Sequence, residues 1–345
     1  MQADSINFIK AQAQMHHAYF LGLQLMISTR KGPEVMEEWM FKLFRRQHLE
    51  KFLSSFEKLG LTNEPDAIAC AKYHVLSNSI GGVPVEYMAE SDTKAWVRFR
   101  YPRWMYHGAT ICGVPVGVSR GFLRGWYAHN GVSLKNPRLG FVCVSEDMTG
   151  EFGFCGYFKE YDHDLSDDER LQFAKGELPP VYIEDAQPKP PVGEWNEERL
   201  EKANRNYAMD YIRNGLRTLT EVIGPDETRE LGGLAARLIG LQYYPESAST
   251  VGAKDGTVVD AAEFLIKMMQ GMGDEAVLID GTDGEAGIEH RGLRIVRGIE
   301  GADRRLMLEN WRELWLGTIR SHRLMMDLDM KQTGDEKLLW TIRRL

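Results

Sequence analysis

Cysteine, histidine and arginine are the side chains with chemistry to offer, and they crowd the first half of the chain. All four cysteines, Cys70, Cys112, Cys143 and Cys155, precede residue 160. Seven of the nine histidines, His16, His17, His48, His74, His107, His129 and His163, precede residue 170. A thiol attacks as its thiolate, and a helix N-terminus or a nearby cation favours that form. Cys112 sits just ahead of a helix expected to start near Val116, where the helix field would lower its pKa. Read blandly, it is a small buried hydrophobe. His129 and Asn130 close the same helix and are the types that serve a thiol as base and orienter. A straight helix holds them roughly 20 Å from Cys112, which argues against a direct dyad. Asn130-Gly131 reads equally as a helix terminator.

Cys143 and Cys155 fall on a predicted strand pair and either line one face of the sheet or fill the core. By period two, Cys143 shares a face with Phe141 and Ser145, and Cys155 with Gly153 and Tyr157. Arg98, Arg100 and Arg103 could each hold a carboxylate through paired hydrogen bonds; paired with neighbouring acids they are structural. Asp162 and His163 form the core of Tyr161-Asp162-His163-Asp164, where carboxylates beside an imidazole can bind a divalent metal or tune a base. A solvated acidic loop is the alternative. His16 and His17 point about 100° apart on a helix, so they make no helical metal pair. Trp311 and Trp315 extend a core stripe, and His290 is expected exposed in a Gly-rich turn.

These groups need elements to position them. Apolar spacing predicts helices through residues 4–60, broken at Lys31-Gly32-Pro33, and another over 64–79. Strands are expected at 83–89, 94–101, 139–145 and 153–158, with a helix over 116–129 between the two pairs. The second half restarts with helices at 200–223, 226–241 and 258–272. Strands at 276–279 and 292–299, a helix at 304–323, and a closing strand pair at 324–330 and 337–343 follow. The order of the first half thus recurs, which points to domain duplication. The expected fold class is α+β, two tandem and weakly similar copies of a helices-plus-antiparallel-sheet unit. The expected domains are 1–175, carrying the site, a Pro-rich linker over 176–195, and a supporting copy over 196–345.

Bulk properties narrow the function further. The chain has 345 residues, enough for two cores. A net charge of -8 disfavours a general nucleic-acid binder. No apolar run is long enough to span a membrane, and Met1–Gln14 does not read as a secretory leader. Few, unpaired cysteines without a CxxC suit a cytoplasmic protein with reduced thiols. No P-loop, GxSxG, HExxH or dinucleotide fingerprint is present, so no nucleotide cofactor is expected.

The segments Arg100–Trp104 (RYPRW), Asn136–Phe141 (NPRLGF) and Gly153–Phe158 (GFCGYF), with Cys112 before the middle helix, resemble the L-2-amino-thiazoline-4-carboxylic acid hydrolase-like family. Cys112 and Cys155 match two of the four cysteines of that pattern. Gly156 and Tyr101 stand where the other two would be. The resemblance implies a hydrolase or lyase acting on a small polar, carboxylate-bearing compound, a heterocycle among the candidates. Cys112 or Cys155 would be the nucleophile and His129 or His163 the acid–base group. Arg98, Arg100, Arg103 and Asn130 would hold substrate, and Asp162 with His163 would carry a metal if one is used. The rival expectation is a small-ligand-binding or sensory protein without catalysis. The partner in either case is a small molecule, neither nucleic acid nor membrane, with a homo-oligomer allowed.

Overall fold

A computed structural model of the chain describes residues 2–80, 83–101, 108–190 and 197–345. The fold is α+β and contains the same arrangement twice. In the first copy α1 (Gln2–Lys31) and α2 (Pro33–Lys58) meet at Gly32-Pro33, and α3 (Asp66–Ile80) follows. The hairpin β1 (Val85–Ser91) and β2 (Lys94–Phe99) comes next, then α4 (Gly117–Gly125), α5 (Asn130–Ser133), β3 (Leu139–Ser145) and β4 (Cys155–Glu160). In the second copy α6 (Glu197–Ile223) and α7 (Pro225–Thr250) meet at Gly224-Pro225. They are followed by α8 (Val258–Gly271), β6 (Glu275–Gly281), β7 (Glu285–Arg291), α9 (Gly301–Ile319), β8 (Met326–Gly334) and β9 (Lys337–Arg344). The sheets run β1-β2-β4-β3 and β6-β7-β9-β8, the same antiparallel order. The first copy adds a short strand, β5 (Leu171–Phe173), parallel to β3.

Both copies use one packing device. In the first, α4 lies so close to α2 that a Cβ on Gly121 would stand 2.6 Å from the Glu37 carbonyl oxygen and 2.7 Å from the Met40 Cβ. In the second, a Cβ on Gly240 of α7 would meet the Leu314 carbonyl of α9 closer still, and one on Gly317 would meet the Arg237 carbonyl. Only a missing side chain permits backbones to approach this way.

The compact units are not the expected sequence halves. One comprises residues 27–200, and the other residues 1–26 with 201–345. Most of α1 therefore belongs with the second copy's helices. There Phe20 stacks near Tyr211 (4.7 Å between ring centroids), and Tyr19 Oη donates to the Gly232 carbonyl at 3.0 Å. His16 is buried with both ring nitrogens used: Nδ1 donates to the Gln12 carbonyl and Nε2 accepts from Trp311.

Several local expectations are corrected. The helix read over 116–129 ends at Gly125, followed by a single 3-10 turn over Tyr127–His129. Strand β7 lies at 285–291, not 292–299, because Thr282 to Glu285 close a tight hairpin. His290 is on that strand and fully buried: Trp340 Nε1 donates to its Nδ1 (3.2 Å), and its Nε2 donates to buried Asp274 (3.1 Å). The segment read as a linker runs along the first sheet as far as it is described. Gln187 accepts from the Tyr87 backbone N–H and donates to its carbonyl, both at 2.9 Å, covering the free edge of β1.

The shared helix contact is testable. Gly121→Ala should lower stability by about 2 kcal/mol, the order expected for overpacking, read as the urea unfolding midpoint. An unchanged midpoint would mean that α2 and α4 do not touch through Gly121.

Candidate functional site

The two sheets differ on the face turned away from their helices. Strand alternation sends every second side chain to that outer face. In the second sheet the outer face carries Glu285, Glu289, Asp327, Asp329, Lys331 and Arg343, with Glu285–Arg343 at 2.6 Å and Glu289–Lys337 at 2.5 Å. Val277 and Leu339 share this face with Glu289, and the whole is a solvated, mainly charged surface. In the first sheet the corresponding face is an apolar cluster: Met88, Trp96, Val142, Val144, Cys155 and Tyr157. The helix-side core of the same sheet, including Val97, Phe99, Phe141, Cys143 and Phe158, is a separate cluster.

Covering that apolar face is the task of the segment after β5. Ala174 packs on the cluster and its N–H reaches the Cys143 carbonyl (2.9 Å). The covering leaves a cavity of about 330 Å³, within the size range of small-molecule sites. Its floor is Arg98 of β2, Val144 and Ser145 of β3, and Cys155 of β4. One rim is Glu151 and Phe152 of the β3–β4 turn, and the other is the segment Lys175–Pro179.

Charge in the cavity is unevenly satisfied. Lys175 Nζ is 2.7 Å from Glu151, which raises the lysine pKa and lowers that of the carboxylate. Glu146, almost fully buried, receives both Nε and Nη2 of Arg120 (3.0 and 3.2 Å). Neighbouring Asp147 accepts from Ser119 Oγ at 2.7 Å, so α4 is tied to the β3–β4 turn. Arg100 pairs with Glu86, and Arg124 with Glu37. Arg98 is different: among the described residues it has no carboxylate partner, only a 3.4 Å hydrogen bond from Nη2 to the Phe152 carbonyl.

Cys155 stands directly across the strand pair from Arg98. Burial pushes its thiol up to about 11, with Arg98 opposing and Glu86 adding to the rise, so it is protonated at neutral pH. Ser145 enters the cavity through a break in register between Cys143 and Ser145. Its hydroxyl donates to the Gly153 carbonyl (2.6 Å) and accepts from the Phe152 N–H (3.1 Å). That break separates Ser145 from the face of Cys143. The thiol of Cys143 lies in the helix-side core, and burial pushes it up to about 12.

The other candidate residues that the structure describes do not line this cavity. Cys112 is exposed on a 3-10 turn over Gly108–Gly113. Asp162 and His163 are exposed and bond each other at 2.8 Å. Among the described residues no group of three or more His, Cys, Asp or Glu could hold a metal ion. Arg103 and His107 lie outside the described residues.

His129 and Asn130 belong to the helix side of the sheet. Asn130 is buried and donates from Nδ2 to His74 Nε2 (3.0 Å), while His74 stacks on Tyr127 at 3.8 Å. His129 lies 5.1 Å from the His48 ring, and His48 Nε2 bonds Ser133 Oγ at 2.8 Å. Burial, reinforced by Arg45, holds His129 at about 4; burial, then His129 and Arg45, holds His48 at about 3. His74 is lowered well below its usual value by burial and by His48.

Neutral histidines that must charge on unfolding make stability pH-dependent. Their folded values lie below the unfolded value of 6.5, so their contribution is full above pH 6.5 and is lost as pH falls toward 3–4. The urea midpoint should therefore drop between pH 6.5 and pH 4. His48→Phe, which keeps a ring against Phe52, should flatten that drop. An equally steep drop in the variant would assign the acid sensitivity elsewhere.

Lining residues left unflagged by the sequence include Ser145, Glu151, Phe152, Lys175, Glu177 and Leu178. One feature does distinguish their segment from a linker. Leu178, Val181, Tyr182 and Ile183 give it an apolar content that a solvated tether does not need. Comparison of the chain with family models, with curated proteins and with solved structures finds no match.

Proposed function

We propose that the cavity on the outer face of the first sheet binds a small compound with an apolar body and one acidic group, and that the chain works as a ligand-binding protein. The observation that carries this reading is Arg98, a guanidinium without a carboxylate partner among the described residues, at the floor of an apolar cavity. A guanidinium offers a carboxylate two parallel hydrogen bonds. The walls, Val144, Phe152, Cys155, Leu178 and Pro179, suit the apolar body.

An enzymatic version has one observation in its favour: Cys155 lies in the same cavity beside Arg98. It accords with the resemblance to the L-2-amino-thiazoline-4-carboxylic acid hydrolase-like family, whose substrates would carry the carboxylate that Arg98 suits. Against it stand the protonated thiol and a cavity lining that holds no histidine among the described residues. Iodoacetamide at neutral pH should modify exposed Cys112 while Cys155 stays unmodified. Fast alkylation of Cys155 would favour the nucleophilic enzyme instead.

Decanoate is a suitable probe for the binding reading, with decanamide as its uncharged counterpart. In isothermal titration calorimetry, Arg98→Met should weaken decanoate about 10- to 100-fold, the equivalent of ~1.5–3 kcal/mol for a charge-assisted hydrogen bond. Decanamide should bind both proteins alike. Equal decanoate affinity for wild type and Arg98→Met would contradict the assignment.

A further inference from the structure

Two large apolar side chains line the cavity and yet face water. Leu178 is 76% exposed and Phe152 73% exposed, and they come from opposite rims. Exposed apolar side chains gain when a ligand removes them from water. The segment that carries Leu178 is fixed at both ends; between them Glu177 accepts from Tyr157 Oη (3.3 Å) and lies 3.9 Å from Lys94, contacts that closure would have to carry or exchange. At one end β5 pairs with β3, and the Ala174 N–H bonds the Cys143 carbonyl. At the other, Gln187 bridges the Tyr87 backbone. From Leu178 to Tyr182 no backbone group bonds another backbone group among the described residues. Val181 and Ile183 on the same stretch are 84% and 58% exposed.

A pivot is also present. Gly176 has φ +95° with nothing within 4 Å of where a Cβ would lie. Such a residue can change its backbone angles without a side chain to obstruct it.

We propose that the strap Lys175–Ile183 is a lid, pivoting at Gly176, which brings Leu178 down toward Phe152 over the apolar body of a bound acid. This rests on the binding reading above. Closure selects for an apolar body, because only a ligand that fills the space between the rims lets the two side chains leave water. The acidic group, held at Arg98, lies at the floor and takes no part in closure.

The test uses the full chain and decanoate. Amide hydrogen exchange of the non-proline residues from Lys175 to Ile183 should slow at least tenfold at saturating decanoate. Leu178→Ser should weaken decanoate several-fold while the further loss on Arg98→Met persists. Arg98-dependent binding with unchanged exchange across the strap would overturn the lid and leave the site standing. Decanoate binding that does not depend on Arg98 would overturn both.

Discussion

Six side chains of the first sheet, Met88, Trp96, Val142, Val144, Cys155 and Tyr157, point away from the helices that cover its other face. A sheet with two apolar faces needs cover on both sides. In the first copy the helices supply one cover, and the chain beyond β4 must supply the other. That constraint explains why β5 exists, why the following segment is apolar, and why Gln187 reaches back to the edge of β1. The cover is incomplete, and the space it leaves is the cavity.

Duplication makes the same point by contrast. The second copy has the same strand order and the same glycine-mediated helix contact, but its outer face is charged and has no counterpart of β5 among the described residues. Shared features therefore report what the unit needs to fold. Unshared ones, the apolar outer face and its strap, report what was added to the first copy. The buried histidines fall on the folding side of this division: His16, His74 and His290 are each held between named partners.

Much of the fold was legible in local pattern. The helices before each sheet, the Gly-Pro junction at 32–33 and the α9 stripe of Trp311 and Trp315 follow from spacing alone. The failures have physical causes. A three-residue parallel strand such as β5 is too short to show alternation. The Ala286, Ile288, His290 alternation of β7 was obscured by surrounding glycines. The assignment of residues 1–26 to the later unit depends on long-range packing that no local window contains. Of the candidate site residues, Arg98 and Cys155 come together because cross-strand register pairs them. Ser145 departs from the face that period two predicts for it, because a register break leaves no mark in the alternation. The strap residues were hidden by proline, which marks linkers and lids alike.

Everything proposed for the first sheet turns on an acid bound between the sheet and the strap with Arg98 as its anchor. The most direct measurement is a crystal structure of the full chain with decanoate. The carboxylate should lie within hydrogen-bonding distance of the Arg98 guanidinium, with the alkyl chain running between Phe152 and Leu178. A carboxylate bound elsewhere, with Arg98 still facing an unfilled cavity, would contradict it.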